Sequence, residues 1–245
     1  MKKAWIIGKR EFASYFDSPI AYVTLSTFLL LVGLDFFFGF LSAGAGDFFE
    51  ANEASLRRLF EGVPVLLAIF MPAVSMRMIS EEKKTGTMEL LTTLPVRDGE
   101  IVAGKFLGGL LFLGVALLLT LPYVVTVMSL GRPDVGPIVG GYLGLILIGG
   151  AYLAIGLLAS TWTRNQIIAF ILAALICTFF YYVDQLIGAA WEATRQSLAL
   201  LSVKAHAQNI SRGVLDSRDL IFFVSMIALP LLLSTYSLES RKWRA

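Results

Sequence analysis

The chain has 245 residues, of which 57% are hydrophobic and only 16% charged, and its net charge is +2. A soluble domain is nearer ~45–50% apolar and ~25% charged, so the composition belongs to the membrane class. So small a net charge leaves no electrostatic footprint for a nucleic-acid partner. One cysteine, Cys177, and one histidine, His206, support neither a disulfide framework nor a metal site.

The N-terminus begins with Lys2 and Lys3, but its apolar run stops at Gly8, and Lys9, Arg10 and Glu11 follow. A secretory signal needs about 7–15 uninterrupted apolar residues, so this segment is expected to be retained. Six later runs, 20–41, 60–80, 101–129, 137–160, 166–187 and 219–238, are predominantly apolar. Each has roughly the 20 residues that a helix needs to cross a bilayer. The expected fold class is therefore an all-α polytopic membrane protein with six transmembrane helices. A membrane β-barrel would show short alternating segments, and none is present. The third run is longer than one crossing needs, and Pro122 is expected to kink it.

The flanks 1–19, 77–105, 161–165 and 239–245 carry Lys2, Lys3, Lys9, Arg10, Arg77, Lys83, Lys84, Arg97, Lys105, Arg164, Arg241, Lys242 and Arg244. The opposite flanks carry only Arg57, Arg58, Arg132, Arg195, Lys204, Arg212 and Arg218. The excess of basic residues marks the cytoplasmic side, so both termini and the loop 81–100 are expected there. Asp35 is the main acid within a run. About 22 Å along a helix starting at Ile20, it is expected near the outer headgroups, and Asp184 is expected at the outer end of the fifth span. Gly136, Gly140 and Gly144 recur every four residues, as do Gly104 and Gly108. This spacing lets helix backbones approach closely.

The segment 78–106 is a polar island between two apolar runs. Gly99 and Gly104-Lys105 match the spacing of a phosphate-binding loop, but that motif needs a preceding strand and a Ser or Thr after the lysine. Phe106 stands there instead, and the helix that opens enters the membrane. The match is read as coincidental. "SEEKKTGTMELLTTLP" reads better as a short amphipathic helix. Thr85 or Thr87 could cap it, Glu89 falls in its first turn, Met88, Leu90, Leu91 and Leu94 form its apolar face, and Pro95 ends it. Such a helix suits a groove on a soluble partner, although it could also only anchor the loop at the interface.

"EEKKTGTMELLTTLPVRDGEIVAGKF" resembles the first cytoplasmic loop of ABC-2-type transporter permeases (type V ABC exporter-like). The residues that carry the resemblance are Glu81, Glu82, Gly86, Thr87, Glu89, Leu90, Leu91, Pro95, Gly104 and Lys105. "KREFASYFDSPIAYV" is similar to that family's opening segment, through Lys9, Arg10, Glu11, Phe12, Ser18, Pro19 and Tyr22. "HAQNISRGVLDSRDLIFF" is similar to the segment before its last span. The gliding-motility-type branch of the family shows the nearest likeness.

The resemblance implies a permease subunit of the bacterial cytoplasmic membrane that works with a separate cytoplasmic ABC ATPase, where ATP and Mg²⁺ would bind. It also implies a second permease subunit, as homodimer or heterodimer, an elbow helix over 1–19 and a coupling helix within 81–100. No catalytic residue, cofactor or metal is expected on this chain itself. The extracytoplasmic stretch 188–218, with Trp191 and "SLALLSV", is too long and apolar for a plain surface loop. It could gate the exit or dock a periplasmic or membrane accessory protein. Two alternatives stand beside an exporter. One is a non-transporting subunit that passes ATPase motion to periplasmic partners. The other is an ion-coupled secondary transporter, disfavoured because ionisable residues inside the spans are few.

Overall fold

The computed structural model describes residues 2–39, 55–87, 96–131, 133–188, 200–211 and 216–240. The described residues form helices joined by turns, with no strand among them. In chain order the helices are α1 (Lys2–Phe16), α2 (Pro19–Phe38), α3 (Arg57–Ser75), α4 (Ser80–Thr85), α5 (Asp98–Leu118), α6 (Leu121–Leu130), α7 (Val135–Trp162), α8 (Gln166–Gly188), α9 (Val203–Ser211) and α10 (Ser217–Glu239). Among the described residues, six stretches are long and apolar enough to cross a membrane: Pro19–Phe38, Arg57–Thr85, Asp98–Leu130, Val135–Trp162, Gln166–Gln185 and Ser217–Glu239.

The helix boundaries follow local chemistry. The Ser18 hydroxyl accepts from the Ile20 N–H at 3.3 Å, and Pro19, whose missing N–H is harmless in a first turn, opens α2. Asp134 and Asp216 cap α7 and α10 through the amides two residues on. The third apolar run breaks between α5 and α6 at Leu119–Thr120, just before Pro122. The proline ring cannot follow a regular helical turn, and the Thr120 hydroxyl covers the loose end by donating to the Leu117 carbonyl at 2.6 Å.

The helix α7 is the axis of the bundle and packs on α3, α5, α8, α9 and α10. Every residue from Ile148 to Thr161 is buried, as expected of a helix that is apolar all round. A Cβ at Gly141 would overlap the Phe60 ring, one at Gly149 the Leu113 side chain, and one at Gly156 the Ser75 side chain. These glycines bring α7 against α3 and α5 at close range. The row singled out by sequence spacing behaves differently. Gly136 is exposed and, among the described residues, approaches only its own cap, Asp134, at 3.7 Å. Gly140 is buried, and a Cβ at Gly144 would sit 3.3 Å from Ile210 of α9.

Asp35 lies one turn from the end of α2, with its side chain turned into the bundle. It is only 2% exposed, and its carboxylate lies directly over Gly62 of α3. The missing Cβ of Gly62 makes the room it occupies. Asp184 of α8 accepts from the Ser202 hydroxyl at 3.1 Å, so it holds the approach to α9. Cys177 is fully buried core.

Candidate functional site

The charged residues of the polar island and the N-terminal helix converge at one end of the bundle. α1 packs chiefly on α5, and the contact is made by glycines on both sides. A Cβ at Gly104 would lie 2.6 Å from the Ile7 Cβ and 2.9 Å from the Ala4 carbonyl oxygen. A Cβ at Gly108 would lie 2.7 Å from the Glu11 Cβ, and one at Gly8 would lie 3.1 Å from the Gly104 carbonyl oxygen. A larger residue at Gly104 or Gly8 would meet backbone, which cannot swing away. Further along, Tyr15 tucks under α3 and α5: its hydroxyl donates to the Val74 carbonyl at 3.3 Å, and its ring lies 4.8 Å from that of Phe112. Phe12 and Phe16 stand edge to face at 5.2 Å, a favourable geometry for two rings.

This packing places Glu11 of α1 beside Lys105 of α5. The Lys105 ammonium donates to Glu11 at 3.3 Å and to Glu82 of α4 at 2.7 Å. The lysine side chain is 2% exposed, whereas the two glutamates are 22% and 24% exposed. One buried cation therefore joins three elements from positions 11, 82 and 105. Removing one partner of such a buried pair leaves an uncompensated charge and typically destabilises by ~3–5 kcal/mol. Among the described residues Glu82 Oε2 has no hydrogen-bond partner, and Arg10 is close enough to act on Glu82 electrostatically.

α4 is held by a second set of contacts from the end of α7. The Ser160 hydroxyl oxygen accepts from the Ile79 N–H at 3.1 Å and the Ser80 N–H at 2.9 Å, and its proton goes to the Met76 carbonyl at 3.1 Å. It thus satisfies amides at the α4 N-terminus that have no partner within the helix. The Lys83 ammonium, buried, donates to the Thr161 carbonyl in the last turn of α7, the negative end of that helix dipole. α4 is thereby fixed to α1, α5 and α7 at once.

α4 ends at Gly86, which has φ 75° and, among the described residues, no atom near the position a Cβ would take. The glycine serves the left-handed turn that stops the helix, not a close approach. Thr87 and Thr85 share a hydroxyl contact of 2.9 Å, and Glu81 is exposed on the other side of α4. Met88, Glu89, Leu90, Leu91, Leu94 and Pro95, the expected partner-facing helix, lie outside the described residues. What the structure adds is a separate helix before them, α4, whose Glu82, Lys83 and Ser80 face the bundle. At the loop's far side the Glu100 carboxylate accepts from the Arg97 N–H at 3.2 Å and caps α5.

Gly99 to Lys105 is continuous helix within α5. A phosphate loop needs non-helical backbone and a free lysine, and here the lysine is already held by two carboxylates. Sequence reading named Glu11, Glu82 and Lys105 separately, as motif residues, without bringing them together. It did not name Ser160, and it gave Lys83 only a place in the basic flank and Gly8 only the end of an apolar run. A lone Ser-Thr pair after an all-apolar run and a glycine in a short amphipathic helix were the only available signals.

The other end of the bundle carries a second polar tie. His206 Nδ1 lies 2.6 Å from Asp219 Oδ1, its Nε2 lies 3.1 Å from the Leu200 carbonyl oxygen, and its ring stacks on Phe222 at 4.1 Å. These contacts fasten α9 to α10. Beside α9, a cavity of about 340 Å³ is lined by Arg57, Phe60, Glu61, Asp134, Ile138 and Gln208 among others.

The fold and this site define a polytopic helical membrane protein whose N-terminal helix, first polar loop and third span are locked by one buried lysine. The family described as ABC-2 family transporter protein matches residues 5–243, and the chain belongs to it as a transporter membrane subunit. No curated protein gives a significant match to the chain.

Proposed function

We propose that this chain is the transmembrane subunit of an ABC exporter in a bacterial cytoplasmic membrane, and that the α4 end of the bundle faces the cytoplasm and receives the motion of a separate ATPase. The observation that carries this reading is the Lys105 bridge between Glu11 and Glu82. It ties the segment leading into the expected coupling helix to α1 and to the third span. A partner that seats Leu90, Leu91 and Leu94 in a groove would pull on α4. The displacement would pass through Lys105 to α1 and α5, and through Ser160 and Lys83 to the α7 axis. The basic excess on the α4 side supports the orientation. Hydrolysis of ATP then belongs to the partner, with ATP and Mg²⁺ bound there, and a second copy of this chain or a related permease completes the pathway.

The test is affinity purification of the chain from its native membrane, followed by ATPase assay in nanodiscs. The expected result is recovery of an ABC ATPase whose hydrolysis is stimulated by the wild-type chain. With Lys105→Gln the ATPase should still be recovered, but most of that stimulation should be lost. Full stimulation by a folded Lys105→Gln chain would remove the support for this route.

A further inference from the structure

α9 has two working faces. Toward α10 it presents His206. Toward α3 it presents Lys204, Ala207 and Gln208, which line the cavities beside Phe60 and Glu61. The imidazole of His206 stands among three groups. Nδ1 lies 2.6 Å from Asp219 Oδ1, Nε2 lies 3.1 Å from the Leu200 carbonyl oxygen, and the ring is stacked on Phe222 with centroids 4.1 Å apart. Both nitrogens therefore face oxygen acceptors. A neutral imidazole has one N–H to give, and an imidazolium has two. Only the charged form makes both hydrogen bonds. The face of an aromatic ring also favours a cation over it. The Asp219 carboxylate is only 3% exposed, and a buried carboxylate without a counter-charge is costly.

We infer that His206 is a proton-operated latch, which holds α9 on α10 while the imidazole carries two protons and releases α9 when rising pH removes one. Loss of the proton weakens the latch twice. A nitrogen lone pair is then turned on an oxygen, and Asp219 is left buried beside a neutral ring. Histidine is the side chain suited to changing charge between about pH 5 and 8, and proteins use it to switch contacts there. Among the described residues, the other charged groups around α9 are engaged elsewhere. Asp184 of α8 accepts from the Ser202 hydroxyl, and Glu61 of α3 pairs with Arg57. Lys204 lines a cavity with Glu61 and Tyr181, Asp134 of α7 caps its own helix, and Asp216 caps α10 through the Arg218 N–H. α9 forms one wall of the cavities beside α3, so its release opens them. On the orientation proposed above that end lies outside the cytoplasm, and the latch responds to the pH there.

The experiment is hydrogen exchange, read by mass spectrometry on the full-length chain in nanodiscs at several pH values across that range. Each rate is corrected for the intrinsic pH dependence of exchange. No ATPase and no fixed sidedness are needed, so the result is independent of the function proposed above. In the wild type, protection of α9 should fall at least about tenfold from the acid to the alkaline end, the worth of one hydrogen bond to a charged group. Protection of the buried stretch 148–161 of α7 should stay level. In His206→Ala, α9 should be poorly protected at every pH and the dependence should vanish. The wild-type profile keeps the test usable if that variant does not fold. Level protection of α9 in the wild type would overturn the latch. So would an equal pH response in a folded His206→Ala chain, which would assign the response to another group.

Discussion

The two ends of the bundle are tied in different ways. At the α4 end, one buried lysine joins residues 11, 82 and 105, and Ser160 reaches back to residues 76, 79 and 80. At the α9 end the ties of α9 itself are local, His206 to Asp219 and Ser202 to Asp184, 13 and 18 residues apart, and the one longer tie beside it is the hydrogen bond from the Tyr181 hydroxyl to the Glu61 carbonyl among the described residues. A long-range tie couples whole helices, so loosening it frees several elements. A local tie fixes one short helix, so loosening it resembles the low-energy opening of a small unit. On the function proposed above the bundle is moved from the α4 end, whereas the side-chain ties of α9 reach only its neighbours in sequence.

The sharpest way to break this contrast is Lys105→Met, which leaves Glu11 and Glu82 half-buried without their shared cation. A loss of about 3 kcal/mol of stability is expected, read as a lower thermal unfolding midpoint of the purified chain. Adding Glu11→Gln and Glu82→Gln should recover much of it, because no unpaired charge remains. Failure of that recovery would mean that Lys105 acts by shape and not by charge.

A somewhat smaller effect is expected from Gly104→Val. Its Cβ meets the Ala4 backbone oxygen at 2.9 Å, and overpacking of this kind costs about 1–3 kcal/mol. Limited proteolysis near the N-terminus should then speed up as α1 detaches. Gly114→Val, in the same helix but with nothing within 4 Å of its Cβ, should leave the rate unchanged.

Ser160→Ala removes the acceptor of two amides at the start of α4, and about 1 kcal/mol is expected by analogy with helix caps. Hydrogen exchange should accelerate at Ile79 and Ser80 first. The smallest global effect belongs to the other end. His206→Ala should increase exchange in α9 with little change in the unfolding midpoint and no change in ATPase stimulation. A large drop in either would erase the proposed difference between the two ends.

Much of the architecture is legible in the sequence because lipid imposes simple demands. Apolar runs of crossing length had to be helices, and Pro122 marks the break in the third. Glycine spacing was a poorer guide. Gly104 and Gly108 do meet α1, yet on α7 the tight positions are Gly141, Gly149 and Gly156, and Gly136 is exposed. A small residue permits an approach, but which face meets a neighbour is decided by the other helix. The triad was hidden for a similar reason. Glu11, Glu82 and Lys105 lie in separate elements, and only the parallel packing of α1 on α5 brings them to one point. Asp35 shows the limit from the other side. Its depth could be counted along the helix, but its burial depends on Gly62, a residue of the next span.

The central claim is that α4 and α1 move as one body because Lys105 joins them. It is tested most directly by the distance between spin labels at Lys84→Cys and Ala13→Cys, in a Cys177→Ala background, in the nanodisc complex with its ATPase. Both label sites are exposed. The distance should stay fixed between the nucleotide-free and ATP-trapped states of the wild type. It should change on ATP trapping when Glu11, Glu82 and Lys105 are all neutralised. A distance that shifts equally in both chains, or in neither, would contradict the claim.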